Sequence, residues 1–254
     1  MCKSIIERIS GGGYRRKLSA KGFTLAEVLI TLGIIGIVAA MTLPTLVQQN
    51  QKKVVATRLK QTYSQLYQAI NMAQADFGDM KNWDVNDNYQ SSNDPDNPNL
   101  GKDMAAKFVE TYLKPYLKYT GIPGLRRLKD LGYLSYYSKD GRLYRSNSES
   151  LYLIELSNGV TLMFGYNGNA EVYSLPIVFV DINGKTKPNI LGRDFFMFSF
   201  DSVNSMKIVP SGYGLTREAL KRFCGLHDGK TYDYLYCTAL IMHDGWEIKK
   251  DYPW

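Results

Sequence analysis

The stretch Lys21-Gly22-Phe23-Thr24-Leu25-Ala26-Glu27 opens an apolar run that continues to Val47. Glu27 is the only charged residue between Phe23 and Val47. About 20 apolar residues are enough for a helix to cross the hydrocarbon core of a bilayer, and this run is longer. The sequence therefore predicts a transmembrane helix over residues 23–47.

Glu27 is a carboxylate inside this predicted span. A charge there costs on the order of 3 kcal/mol on insertion scales, and such residues usually have a function and a partner. If the chain is cut after Gly22, Phe23 carries a free α-amino group at the membrane edge. We expect Glu27 to pair with this amine on a neighbouring copy, so that each charge offsets the burial cost of the other only on assembly.

The residues at this junction, Gly22, Phe23, Thr24, Leu25 and Glu27, and the run Leu29-Ile30-Thr31-Leu32-Gly33-Ile34-Ile35-Gly36-Ile37-Val38-Ala39-Ala40 resemble the amino-terminal segment of type IV pilins and type II secretion pseudopilins. The resemblance covers about the first fifth of the chain. It implies a leader, residues 1–22, removed by a prepilin peptidase that also methylates Phe23. It further implies that Glu27, with Thr24, guides docking with other pilin or pseudopilin subunits at an inner-membrane assembly platform. An uncleaved anchor is the alternative, and a secretory signal fits poorly because no small-residue cleavage site follows the run.

Positive charge is concentrated before the apolar run. Residues 1–22 hold six Lys or Arg residues against Glu7, which is +5 of the formal +7, and the remaining chain carries 25 − 23 = +2. Positive charge before a span holds that side in the cytoplasm. We therefore expect an inner-membrane, single-pass protein with an extracytoplasmic head that later joins a periplasmic or cell-surface filament. Nucleic acid is not expected as a partner, because the mature head lacks a basic strip.

Beyond Pro44 the apolar residues recur every three or four positions, which predicts one helix from Phe23 to about Phe77 with one buried face along its second half. Gly78 is the predicted stop. Pro44 removes a backbone donor and clashes with the preceding turn, so a kink or a melted stretch is expected near it. The predicted organisation is a leader (1–22), a helix (23–77, with 23–47 in the membrane or filament core) and one globular head (78–254).

The head begins with an exposed loop over 78–99, rich in Asn, Asp and Ser, and continues with a helix over 104–117 that Pro115 bends or ends. Runs at 151–156 and 160–164, joined at Asn158-Gly159, predict a hairpin with a type I′ turn. A second hairpin is predicted from 177–182 and 194–200, with another strand at 205–209 and a terminal strand plus a packed aromatic end over 245–254. A long helix followed by an antiparallel sheet gives an α+β fold.

Oxygen ligands cluster around the second predicted hairpin. Asp181, Asn183 and Asp194 resemble a pseudopilin loop that can bind calcium, a metal that prefers six to eight oxygen ligands. The number of such ligands is low here. The favoured interpretation is that Asp181 and Asn183 shape a turn while Asp194 pairs with Arg193 or Lys185 on a solvated face. No cofactor is expected.

Cys224 and Cys237 form an even pair once Cys2 leaves with the leader. A disulfide is favoured in an exported head, and a zinc site with His227 and His243 is the alternative. Catalytic motifs such as a phosphate loop or a Gly-x-Ser-x-Gly elbow are missing from the sequence, so an enzyme is not expected. The predicted function is a structural subunit of a pilus or pseudopilus. The alternative is a membrane-anchored binding protein that does not polymerise.

Overall fold

The computed structural model describes residues 22–83, 100–166, 176–200, 207–225 and 233–254. The chain divides into two compact units, residues 1–48 and residues 49–254. Except for Gly22, the predicted leader lies outside the described residues, so its boundary stays a prediction. The predicted boundary between helix and head at 77/78 differs from the structural division, because the second half of the helix belongs to the second unit.

The first element is the helix α1, Leu25–Phe77. Among the described residues, α1 is the one helix that is long and apolar enough to cross a membrane, and its apolar part lies near the amino terminus. The helix continues through Pro44 without a melted stretch. A local break at this proline was therefore not found, and the predicted kink at Pro44 stays a prediction.

From residue 49 onward, α1 has one buried face. Its buried residues recur every three or four positions, which places them on one side of a helix: Ala56, Leu59, Thr62, Leu66, Ala69, Ile70 and Ala73. The helix ends at Phe77, and Gly78 follows with φ of 78°, a left-handed conformation that glycine adopts without strain. The predicted end of the helix is confirmed.

A second helical segment contacts the end of α1, where the Tyr112 ring meets the Phe77 ring with centroids 5.2 Å apart. It consists of α2, Leu100–Phe108, a π-helical turn over Val109–Leu113 and a 3₁₀ turn over Lys114–Tyr116. Pro115 lies in the last turn, so the prediction that it ends the helix is confirmed. The ring of Tyr112 stacks on the ring of Trp83 with centroids 4.2 Å apart, which ties this segment to the region just after α1.

The head is built on a six-stranded antiparallel sheet in the order β1-β4-β5-β6-β7-β8. Its strands are β1 (Tyr119–Arg127), β4 (Ser150–Leu156), β5 (Thr161–Tyr166), β6 (Pro176–Asp181), β7 (Phe195–Phe200) and β8 (Ile208–Pro210). A separate pair joins β2 (Tyr136–Tyr137) to β3 (Leu143–Arg145). Both predicted hairpins are present, because β4 pairs with β5 and β6 pairs with β7. The predicted α+β class is confirmed.

The turn of the first hairpin differs from the predicted type I′ turn. Only Gly159, with φ of 82°, has a positive φ in this loop, whereas a type I′ turn needs two such residues. Leu156 N–H donates to Val160 O and Gly159 N–H donates to Leu156 O. Three residues therefore link the strands, and glycine takes the left-handed position that closes a three-residue loop.

The carboxyl-terminal region contains two short helices, and the strand predicted after them is absent. It contains α3, Arg217–Cys224, and α4, Cys237–His243. Residues 245–254 form turns and bends, so the predicted terminal strand is wrong. The aromatic end does pack on the head: Tyr252 is buried, and Trp246 lies against Tyr63 of α1 with ring centroids 5.2 Å apart.

Candidate functional sites

The amino-terminal site is a hydrogen-bonded cap on α1. Thr24 precedes the first helical residue, and its N–H and hydroxyl each donate to Glu27 Oε2 at 2.8 Å. In return Thr24 Oγ1 accepts from the Glu27 N–H at 3.2 Å. This reciprocal pattern is a capping box, which satisfies donors at the helix start that have no partner within the helix. The Thr-x-x-Glu spacing is the sequence signature of such a cap, although the cap was not among the predicted features.

The cap gives Glu27 a structural role within a single chain. Its carboxylate already accepts two hydrogen bonds from Thr24, whereas docking requires it to meet an amine from a neighbouring copy. Phe23 is 87% exposed beside this cap. Because a carboxylate has about four acceptor sites, Glu27 can keep the cap and still accept from a second donor. The capping and docking roles of Glu27 are therefore compatible but separable by mutation.

The predicted calcium-site residues lie close together between β6 and β7. The Asn183 N–H donates to Asp181 Oδ1 at 3.1 Å, and Asn183 Nδ2 donates to Asp194 Oδ2 at 3.0 Å. Asp194 also accepts from the N–H groups of Asn189 and Ile190, at 2.7 and 2.6 Å. Asp181 and Asp194 thus accept N–H bonds from the loop backbone, and calcium binding by this group stays a prediction.

Asp194 does not play the predicted surface role. Its side chain is buried, and Lys185 forms an ion pair with Glu155 at 3.1 Å instead. The prediction missed this because a polar loop sequence does not reveal that two carboxylates are enclosed. No cluster of three or more His, Cys, Asp or Glu side chains suited to a metal occurs within the described ranges.

Burial shapes the protonation of this carboxylate pair. Desolvation, with a further contribution from the nearby Asp194 charge, raises the pKa of Asp181 to about 7, against the lowering effect of a hydrogen bond from Tyr136. The Tyr136 hydroxyl donates to Asp181 Oδ2 at 2.6 Å. Desolvation also raises the pKa of Asp194, although its backbone hydrogen bonds oppose the rise. The pair can therefore hold a proton near neutral pH.

The predicted disulfide is present in the structure. Cys224 at the end of α3 is bonded to Cys237 at the start of α4, and both are buried. The two sulfur atoms are bonded to each other, so these cysteines cannot act as zinc thiolates while the disulfide is intact. His243 lies on the exposed side of α4, and His227 lies outside the described residues.

A charged cluster holds the chain end against α3. Arg217 donates from Nε and Nη2 to Asp244 at 2.6 and 2.8 Å, and from Nη1 and Nη2 to Asp251 at 3.0 and 2.9 Å. The Arg217 guanidinium lowers the pKa of both carboxyl groups. Paired arginine-carboxylate bonds of this kind fix geometry as well as charge. The disulfide and the arginine together fasten the carboxyl-terminal region.

Comparison with known families identifies both parts of the chain. A prokaryotic N-terminal methylation motif matches residues 17–43. A model described as a family of unknown function, DUF6613, matches residues 45–254. No curated protein and no solved structure gives a significant match.

The methylation motif coincides with the Gly22-Phe23 junction, the capped helix start and the apolar part of α1. The chain is therefore a precursor of the type IV pilin and pseudopilin class. The motif implies processing by a prepilin peptidase and assembly with other pilin subunits. The long apolar part of α1 is consistent with a membrane anchor. The chain also belongs to the DUF6613 family, whose model covers the whole predicted head.

Proposed function

We propose that this protein is a structural subunit of a type IV pilus or of a type II secretion pseudopilus. The observation that carries the proposal is that the methylation motif, residues 17–43, overlaps an apolar run of membrane length, residues 23–47, in which Glu27 is the only charged residue. A passive anchor would gain only the helix cap from a carboxylate in that position, and an uncharged glutamine could supply the cap without the cost of inserting a charge. The head then stands on the far side of the inner membrane, and the mature subunit is drawn into a periplasmic or surface filament.

Four residues have roles in this proposal. Gly22 is the residue after which the leader is cut, and Phe23 supplies the new methylatable amine. Glu27 attracts that amine on the adjacent subunit, while Thr24 holds the Glu27 side chain at the helix start. The work of such a subunit is mechanical, and no catalytic role is assigned to the head.

Processing is tested by the amino-terminal sequence and intact mass of membrane-extracted protein, made with and without a prepilin peptidase. We expect a chain beginning at N-methylated Phe23 only when the peptidase is present, and an uncut Gly22→Val precursor in both cases. An unprocessed start in both cultures, with a peptidase active on another prepilin, would instead favour a membrane-anchored binding protein.

Docking is tested by filament incorporation of three processed variants. Glu27→Leu removes both cap and charge, Glu27→Gln keeps a side chain suited to the capping box but removes the charge, and Thr24→Ala weakens the cap but keeps the charge. We expect Glu27→Gln to incorporate as poorly as Glu27→Leu, and Thr24→Ala to incorporate nearly normally. Normal incorporation of Glu27→Gln would show that capping, not charge pairing, explains the need for Glu27.

A further inference from the structure

Two grooves border the first turns of α1 within the head. One is lined by Val54 of α1 together with Lys187, Pro188, Arg193 and Trp254 among others. The second groove lies along the part of α1 around Ala56 and is lined by two pairs of neighbouring lysines, by Trp246 and by Ile248. Two of the three tryptophans of the chain therefore line these grooves.

We call five of the cations that line these grooves the basic collar: Lys187 and Arg193 in the first groove, and Lys52, Lys53 and Lys250 in the second. The Trp254 ring lies between two of them, with Lys52 Nζ 5.5 Å and the Arg193 guanidinium 5.4 Å from its centroid. A third cation is close, because the charges of Arg193 and Lys52 add to burial in lowering the pKa of Lys139. Like charges are thus gathered around one aromatic ring.

The acids near the collar do not neutralise it. Asp194 lines the first groove, but it is buried and already accepts three N–H bonds. Glu247, which lines the second groove, is the exposed acid among the residues that line the two grooves. Elsewhere in the described head, lysines lie beside carboxylates within 3.1 Å, in the pairs Lys81–Asp79, Lys114–Glu110, Lys185–Glu155 and Lys221–Asp251. Lys249 lines the second groove but pairs with Asp244, so it is not counted in the collar. The mature chain carries only +2 in total, so the collar is a local excess.

The chain itself keeps this surface near the membrane. Lys52 and Lys53 follow Val47, the last residue of the apolar run, by five and six positions. Even a fully extended backbone spans at most about 3.6 Å per residue, so both lysines lie within roughly 20 Å of the end of the membrane segment. This limit holds for any orientation of the head.

We propose that the basic collar binds the phosphate headgroups of anionic lipids while the subunit is stored in the membrane. Tryptophan together with Lys and Arg is the composition found at membrane interfaces, where the rings sit at headgroup level and the cations reach the phosphates. Each basic residue at an anionic surface strengthens the contact by about fivefold. The contact holds the head on the bilayer before extraction, and it does not depend on whether the subunit then polymerises.

The test uses the mature full-length chain in lipid nanodiscs and measures tryptophan fluorescence. One set of discs contains phosphatidylcholine only, and the other contains phosphatidylcholine with phosphatidylglycerol, each with and without brominated acyl chains that quench nearby indoles. We expect bromine quenching in the phosphatidylglycerol discs and little in the neutral discs. High salt should reduce the quenching, since exposed charges are screened over about 3 Å at 1 M ionic strength.

The decisive variant is Lys53→Glu with Lys187→Glu and Lys250→Glu. All three side chains are exposed, and the variant leaves the Lys52 and Arg193 contacts with Trp254 in place. The matched control is Lys118→Glu with Arg126→Glu and Lys129→Glu, three exposed cations that line neither groove, so that both variants change the net charge by the same amount. Quenching lost in the triple variant and kept in the control supports the proposal. Equal quenching in both lipids, quenching in neither, or quenching retained by the triple variant overturns it.

Discussion

Removing the Cys224–Cys237 disulfide should lower the stability of the head by an amount set by loop length. The two cysteines are 13 positions apart, and closing a loop of this size in the unfolded chain removes entropy equivalent to about 3 kcal/mol. Both cysteines are buried, so alanine is the better replacement because serine would bury an extra hydroxyl. For a head of this size the loss corresponds to a decrease of about 6–12 °C in melting temperature.

The assay is thermal unfolding of the processed chain in detergent, followed by near-ultraviolet circular dichroism of the head, for wild type, both single Cys→Ala variants and the double variant. If loop closure dominates, each single variant loses about as much as the double variant, because any one substitution opens the bridge. If the cavities left by the sulfur atoms dominate, the losses add instead. A double variant that melts within about 2 °C of wild type would refute the entropic reasoning.

Two further predictions concern the carboxylates between β6 and β7. Since the pKa of Asp181 rises to about 7 on folding, the native state holds a proton that the unfolded state releases, and stability falls as pH rises toward 7. We expect the free energy of unfolding, measured with urea, to fall by about 2 kcal/mol between pH 5.5 and 8. Its dependence on pH should be weaker for Asp181→Asn, and an equal dependence in the two proteins would contradict this reasoning. Calcium should leave the melting temperature unchanged relative to EDTA, because the carboxylate oxygens already accept N–H and O–H bonds. A calcium-dependent rise would show that the loop rearranges into a metal site.

Local signals predicted the elements whose pattern is strong within a short window. The length of the apolar run and the period of the buried face gave α1, and the position of Gly78 gave its end. The hairpin joined at Asn158-Gly159 was predicted as an element, but its turn type was not. Glycine alone has the positive φ there, and whether Asn158 would share it depends on the strand pairing on either side.

The elements that were missed have weak local signals. Strand β1 contains Gly121, Pro123 and Gly124, which all disfavour a strand, and its pairing with β4 shifts register between Thr120 and Gly124. It forms because β4 offers an unpaired edge, and an edge strand tolerates proline. The predicted strand at 245–254 is absent although its local sequence favours a strand. The edge strands of the sheet are β1 and β8, and these residues do not pair with either of them. Arg217 instead holds Asp244 and Asp251 against α3.

The sequence by itself determined the class of this protein, because membrane insertion, leader cleavage and helix capping depend on residues within a few turns of one another. Gly22, Phe23, Thr24 and Glu27 are neighbours in the chain, so their chemistry is readable without a fold. Only the tertiary structure decided that Asp181 and Asp194 are enclosed together, and that Lys53, Lys187 and Lys250 line neighbouring grooves. Those residues are distant in sequence, and their burial or charge density arises only when the sheet packs on α1.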